Sequence, residues 1–331
     1  MADVDPTRFA LGTFSEGGRR FAGLIVEDRV TDLTARAGQL GLRADGLDTR
    51  ALLEDWSRVL PILAAIADDR ENHQLDVGEL AVLPPIEPRQ VLQSGANYRK
   101  HVIDLAVAHR PPDDPRSEDE VAVEVAQIMD RRAAEGEPYL FIGLPSAITG
   151  PTDDVVLPSY SEKHDWELEL AAVIGAPAFR VGREDALDHV VAYTIVNDLT
   201  TRDLVFRRDM PEIGTDWFRG KNAPGFLPLG PYLVPAGFVE NPMDLQLTLK
   251  LNGETMQDES TADMLFDIAA IVSAASQIVR LLPGDLILTG SPAGNGMHWG
   301  RLLQPGDVME SRITGVGVQR TRVIAENQAD H

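Results

Sequence analysis

Two glutamates, Glu167 and Glu169, stand in the run Asp165-Trp166-Glu167-Leu168-Glu169-Leu170, which continues through Ala171-Ala172-Val173-Ile174-Gly175. A stretch this apolar is predicted to be a buried β-strand. Strand side chains alternate faces, so Glu167 and Glu169 share one face while Trp166, Leu168 and Leu170 share the other. Their Cα atoms would stand roughly 6.7 Å apart, near enough for both carboxylates to converge on one point. Ionised and unpaired, they do not persist in a dry interior. A buried Arg or Lys, a shared proton or a divalent cation must sit between them. For an isolated E-x-E the ordinary alternative is an edge strand with a wet glutamate face. Here the five apolar residues Leu170 to Ile174 run without alternation, as strands covered on both faces do.

Other positions fit the same chemistry. A second buried-strand pattern, Val190 to Val196, ends in Asn197-Asp198, so Asp198 is a candidate third carboxylate at a strand's carboxyl end. Arg202, four residues on, faces the same site if a helix starts there; as the N-cap of that helix Asp198 would be purely structural. Upstream, Val91 to Gly95 reads as a short strand and glycine turn opening a helix, with His101 and Asp104 three apart on one helical face. An aspartate there would hold the imidazole in one tautomer and raise its basicity, as a water-activating base requires. Taken alone, H-x-x-D is as readily an accidental surface pair.

The elements that must position these groups lie in an acidic chain of 331 residues with a net charge of −22 and mean hydropathy of −0.12. That charge repels phosphate backbones and anionic lipid, so neither nucleic acid nor a membrane is expected as a partner. No apolar run approaches the roughly 20 residues of a membrane span. Met1-Ala2-Asp3-Val4-Asp5 lacks the basic and apolar segments of a signal peptide, so a cytoplasmic location is expected. The absence of cysteine excludes disulfides, thiolate metal sites and cysteine nucleophiles.

From Arg8 to about Leu33 the pattern is a small β-meander, followed by helical spacing of Leu52, Leu53, Trp56, Val59, Leu60, Leu63 and Ile66. Leu83-Pro84-Pro85-Ile86-Glu87-Pro88 then interrupts regular structure. The expected organisation is a small N-terminal α/β domain at 1–83, a linker at 84–90 and a larger domain at 91–331. Within the latter, 109–138 is expected to be an insertion. Its capping-box start, Ser117 to Glu120, and its stripe of Val121, Val125, Ile128 and Met129 predict an amphipathic helix from about Glu118 to Ala134, a lid over the carboxylates. A hairpin through Asn252-Gly253 and a helix over Met264 to Leu281 follow. The loop Gly290 to Gly296 lacks the spacing of a nucleotide phosphate cradle.

These motifs occur in a recognisable order: Gly95-Ala96-Asn97-Tyr98 with His101, Asp165 to Leu170, Asn197-Asp198 with Thr201-Arg202-Asp203, Gly220-Lys221, Leu229-Gly230-Pro231, Asn252-Gly253-Glu254 with Gln257, and Leu288 to Gly294. In this order the chain resembles the fumarylacetoacetate hydrolase superfamily over most of its length. The resemblance implies an α+β fold, a mixed β-roll or sandwich with flanking helices, preceded by the small N-terminal domain and assembled as a homodimer. It also implies a divalent cation, Mg2+ foremost and Mn2+ or Ca2+ otherwise, on Glu167, Glu169 and Asp198. By the same resemblance His101 with Asp104 activates water and Lys221 is an active-site lysine. Thr289 and Gly290 bind substrate oxygens, with Tyr98 and Arg202 as further candidate substrate contacts. The implied activity is metal-dependent hydrolysis of a carbon–carbon bond in a 1,3-diketone or acylpyruvate-type small-molecule keto substrate, through an enolate on the metal. The same kind of site also serves β-keto acid decarboxylation and 2-oxo-alkenoate hydration or isomerisation. An idle metal-binding scaffold is the non-enzymatic alternative, which has no need of His101 or Lys221.

The chain departs from the family pattern at Gly143, where relatives commonly carry the lysine of F-x-K-P, and at Asp104, where many carry Glu. Loss of the lysine is expected to vacate volume and to favour neutral or monoanionic diketones over dicarboxylates.

Overall fold

Positive φ at Gly17 (54°) and Gly18 (83°) allows the two-residue turn that opens the first meander. The computed structural model describes residues 8–328 apart from 70, 72, 73, 109 and 112. The leader reading of Met1 to Asp5 and the first residue of the expected insertion therefore lie outside the described residues. Strands β1 (Ala10–Glu16), β2 (Arg19–Val26), β3 (Arg29–Asp32), β4 (Leu75–Asp76) and β5 (Ala81–Leu83) form an antiparallel sheet ordered β4-β3-β2-β1-β5. Helices α1 (Thr49–Leu53) and α2 (Trp56–Asp68) bury Leu52, Leu53, Val59, Leu63 and Ile66 in the core beside it.

The remainder runs β6 (Val91–Gly95), α3 (Arg99–Ala108), α4 (Glu118–Glu135), β7 (Tyr139–Gly143), β8 (Ile148–Thr149), β9 (Val155–Leu157), β10 (His164–Asp165), β11 (Leu168–Ile174), β12 (Val190–Asn197) and β13 (Thr200–Thr201). It continues through α5 (Arg202–Val205), α6 (Trp217–Lys221), β14 (Leu227–Pro228), β15 (Val234–Pro235), β16 (Gln246–Leu251), β17 (Glu254–Ser260), α7 (Ile268–Ile278), β18 (Leu286–Leu288), α8 (Gly296–Trp299), β19 (Val308–Ile313) and β20 (Gly317–Ala325). A mixed six-stranded sheet, β15-β12-β11-β18-β6-β7, has one parallel pair, β18 with β6; a five-stranded sheet, β17-β16-β19-β20-β9, has β20 parallel to β9. The fold is α+β, as expected. Among the described residues no helix is long and apolar enough to cross a membrane.

Period-two burial explains the layering. Leu168, Leu170, Ala172 and Ile174 of β11 enter a core shared with Leu247, Leu249 and Leu251 of β16, Met309 and Ile313 of β19, and the apolar face of α7. Ala171 and Val173, on the other face, share a second core with Leu11, Leu24, Leu52, Leu53 and Leu63 of the N-terminal module. The six-stranded sheet is thus covered on both faces. The proline-rich segment expected as a linker is packed into that second core through Ile86, and the Pro85 carbonyl accepts from Thr13 Oγ1 and Thr49 Oγ1 at 3.2 and 2.6 Å.

Two elements differ from expectation. The glutamates do not share one unbroken strand: β10 pairs with β13, and β11 begins at Leu168, leaving Glu167 in the joint between them. The late helix covers Ile268–Ile278 only, because Asp267 caps it by accepting from Ala270 N at 2.8 Å.

Register brings the chemistry together. Leu168 pairs with Asn197, Ala171 with Leu288, and Leu288 with Gln93. The carboxyl ends of β6, β12 and β18 therefore meet the amino end of β11 at one edge of the sheet.

Candidate active site

At that edge the carboxylates of Glu167, Glu169 and Asp198 are all buried and offer oxygens within 4.8 Å of one another. Backbone contacts fix their relative placement. Asn197 Oδ1 accepts from Glu167 N at 2.8 Å, and Asp198 N donates to Glu167 O at 2.8 Å. Gly290 N donates to Glu169 Oε2 at 2.7 Å. Gln257 ties the start of β11 to the glycine loop, accepting from Leu168 N and donating to Ser291 Oγ and Pro292 O.

The positive group at the carboxylates is Lys221, which pairs with Glu167 and Asp198 rather than bridging the two glutamates. Its buried Nζ lies 2.6 Å from Glu167 Oε2 and 2.5 Å from Asp198 Oδ2, and it donates to Asp198 O at 3.1 Å. Arg202, at the start of α5, places Nη2 2.7 Å from Glu167 Oε1 and Nε 2.7 Å from Asp165 Oδ2. Burial alone would raise the Glu167 carboxyl, but Lys221 and Arg202 outweigh it and hold the group at about 2. Burial pushes Asp198 up to about 6 against the pull of Lys221. Glu169, buried and beside Asp198 without a cation of its own, is raised well above the carboxylate range. Lys221 stays charged because Asp198 and Glu167 outweigh its desolvation.

This donor set fits a hard divalent cation. Three carboxylate oxygens within 4.8 Å match the span across the shell of an ion with metal–oxygen distances of about 2.0–2.6 Å, and with Asp165 the buried carboxylates here outnumber Lys221 and Arg202 four to two. Binding competes with protons for these carboxylates, and burial beside Asp198 favours the protonated form of Glu169. The apparent affinity for Mn2+ should therefore weaken as the pH is lowered, most clearly through about pH 6, where Asp198 takes up a proton. Calorimetric titrations at pH 5, 6, 7 and 8 check this; a flat profile would mean the carboxylates are already ionised without the metal.

Removing the internal cation has the opposite consequence. Lys221→Met should cost the cation-free protein about 3 kcal/mol, because Asp198 loses its buried ion-pair partner and Glu167 is left with Arg202 alone. Urea unfolding in chelator measures the loss, and saturating Mn2+ should narrow it.

His101 sits in the first turn of α3, buried, and its side chain faces the same cavity as the three carboxylates. Asn97 anchors the preceding turn, donating to Phe266 O and Thr289 O and accepting from Phe266 N. Burial lowers the His101 imidazole to about 4, with Glu167 opposing, so it is neutral near pH 7. The expected partnership with Asp104 is not formed. Asp104 Oδ2 instead lies 3.7 Å from His298 Nδ1. Spacing of three along a helix leaves about 60° between side chains, and His101 turns into the cavity while Asp104 faces α8.

The candidate substrate contacts divide. Arg202 lines the cavity; Tyr98, Thr289 and Gly290 lie behind its wall. Thr289 Oγ1 donates to Leu170 O at 2.9 Å, Gly290 N is engaged by Glu169, and Tyr98 is fully buried close to Glu169 and Thr289. The expected lid is displaced as well. Helix α4 packs on α3, where Asp130 takes both arms of Arg99 and Arg132 Nη1 donates to Ala96 O, and among the described residues it gives nothing to the cavity wall. Of α3, Val102 and Leu105 join His101 in lining the cavity.

Gly143 does not open a pocket. A Cβ there would come within 3.0 Å of the Gln93 side-chain amide, which fills the space and donates to Asp198 Oδ1 at 2.9 Å. Gln93 was not anticipated as a site residue, although an amide inside the apolar run Val91-Leu92-Gln93 was the available signal.

A family model described as fumarylacetoacetate (FAA) hydrolase C-terminal matches residues 90–324. The 2,4-didehydro-3-deoxy-L-rhamnonate hydrolase of Sphingomonas sp. (strain SKA58) is 33% identical over 299 residues, 87% of this chain and 94% of that protein. Mitochondrial oxaloacetate tautomerase fahd2 of Xenopus laevis is 33% identical over 307 residues, 91% of this chain and 85% of that protein. The structure of maleylpyruvate hydrolase from Sphingobium sp. SYK-6 in complex with manganese (II) ion and pyruvate aligns with a TM-score of 0.72 at 25% identity, covering 96% of this chain and 99% of that one. With the family model spanning the whole sheet edge that carries the carboxylates, the chain belongs to the fumarylacetoacetate hydrolase family.

Proposed function

We propose that this protein is a divalent-cation-dependent enzyme that hydrolyses a carbon–carbon bond in a 1,3-dicarbonyl acid of the acylpyruvate type. The observation that carries the reading is the convergence of three buried carboxylates, a neutral buried histidine and a lysine on one cavity. Glu167, Glu169 and Asp198 would hold the cation, Mg2+ or Mn2+ by donor type, and it would supply Lewis-acid polarisation of substrate oxygens. His101, unprotonated at neutral pH, accepts a proton from water as the water oxygen bonds to the acyl carbonyl carbon. The carbon–carbon bond then breaks, its electron pair leaves on the 2-oxo acid fragment as an enolate, and the proton held by His101 returns to that carbon. Lys221 balances the negative charge that builds up beside Glu167 and Asp198. Val102 and Leu105 keep bulk water off.

A second reading is keto–enol tautomerisation of a 2-oxo acid, in which His101 moves a proton between carbon and oxygen and no water adds. The absence of the Asp104 contact favours it, since among the described residues none is seen to hold His101 toward a water, and so does the likeness to a tautomerase over 91% of the chain. Mass spectrometry of products from acylpyruvates, beside the decay of enol absorbance with oxaloacetate, separates the two. Acid plus pyruvate supports hydrolysis, and enol decay without cleavage replaces it by tautomerisation.

A further inference from the structure

The cavity, about 240 Å³, has a half that the carboxylates do not use. Phe141 of β7 stacks on Trp217 of α6 with centroids 4.9 Å apart and an interplanar angle of 21°. Tyr139 stands 6.1 Å from Phe141 and accepts from Trp217 Nε1 at 2.7 Å, so the indole N–H is engaged within the wall. The arrangement is local in origin: Tyr139 and Phe141 are an i, i+2 pair on one face of an edge strand, and α6 brings Trp217 one turn before Lys221. Lys221 Nζ lies 5.9 Å from the Trp217 ring centroid, which joins the aromatic wall directly to the carboxylate cluster. A group attached to a carbonyl at the carboxylates reaches the rings within a few bonds.

Charge decides what that group is. The two permanent cations on the cavity wall, Arg202 and Lys221, are each bound to two carboxylates. A second substrate carboxylate at the aromatic end would be desolvated with, among the described residues lining the cavity, only cations that already pair with two carboxylates each to offset it. A flat apolar group gains both area burial and ring contact, the latter of about 0.5–1.5 kcal/mol per aromatic pair.

Resting on the reading of the site as one for a 2-oxo or 1,3-dicarbonyl acid, we propose that the distal half of the substrate is an aromatic or similarly flat apolar group that lies against Phe141 and Trp217. These two side chains are then specificity-determining contacts. Gly143 contributes nothing to the choice, because Gln93 occupies its space.

The test is equilibrium binding to Mn2+-loaded protein of three 2-oxo acids that hydrolysis does not consume: pyruvate, phenylpyruvate and 2-oxoglutarate. Calorimetry should show phenylpyruvate at least tenfold tighter than the other two. In Phe141→Leu and, separately, Trp217→Leu, the ratio of phenylpyruvate to pyruvate affinity should fall below threefold. If pyruvate binds but phenylpyruvate binds no tighter, or 2-oxoglutarate binds best, this inference is overturned while the oxo-acid site stands. If none of the three binds the loaded protein, the proposed function falls and the inference falls with it.

Discussion

Glu169→Gln is expected to abolish divalent-cation binding and to lower turnover by at least about 10³-fold, about 4 kcal/mol in transition-state stabilisation, while the cation-free protein keeps its stability. The asymmetry follows from the protonation state of the site. Without a cation, burial and the neighbouring Asp198 favour the protonated form of Glu169 against the pull of Lys221, which pairs with Glu167 and Asp198 instead. Glutamine has the same shape and the same neutral charge as that protonated carboxyl, and its amide oxygen still accepts from Gly290 N. Folding in chelator is therefore nearly unaffected. With the cation the comparison reverses, since a charged oxygen becomes a neutral amide in a shell to which the described residues give three anions. Wild-type protein in Mn2+ at a hundred times its Kd should gain about 2.7 kcal/mol, or about 4 °C in Tm for a chain of this length. The variant should gain neither. A wild-type Tm shift in Glu169→Gln, or undiminished activity after chelation, would remove Glu169 from the cation site.

How much of this was legible in the sequence depends on the range of each contact. Period-two burial fixes which way Glu167 and Glu169 point, and that held although the strand breaks before Leu168. The hairpin at Asn252-Gly253 and the capped helix at Ser117 are likewise local, and both are present. Contacts between distant segments were legible only where the residue chemistry demanded one. Buried carboxylates require a cation, but nothing in their neighbourhood identifies Lys221, 54 residues on, as the group that meets Glu167. Helical spacing places Asp104 near His101 without showing that His298 competes for it. An amphipathic stripe shows that α4 lies on something; Arg99 and Ala96, rather than the carboxylates, turn out to be beneath it. The vacancy expected at Gly143 failed for the same reason, because the Gln93 side chain crosses from the neighbouring strand to fill it.

His101→Ala should lower kcat by about 10²–10⁴-fold with Mn2+ affinity changed less than threefold, the range typical of a positioned general base. His101 is not among the three cation donors, and its charge state near neutrality is zero, so removing it leaves the electrostatics of Glu167 and Asp198 almost as they were. The dyad expectation predicts that Asp104→Asn would be nearly as damaging; the observed contact with His298 predicts instead a loss within about fivefold. The pH profile supplies an independent check. A base lowered to about 4 by burial is already unprotonated at pH 6, so in wild type with cation held saturating, kcat should decline only as pH falls through the region near 4. If kcat instead falls with a midpoint near 6.5, the imidazole is solvated in the working enzyme. If His101→Ala turns over within a few-fold of wild type, proton transfer belongs to another group on the cavity wall, and Lys221 is the next to replace.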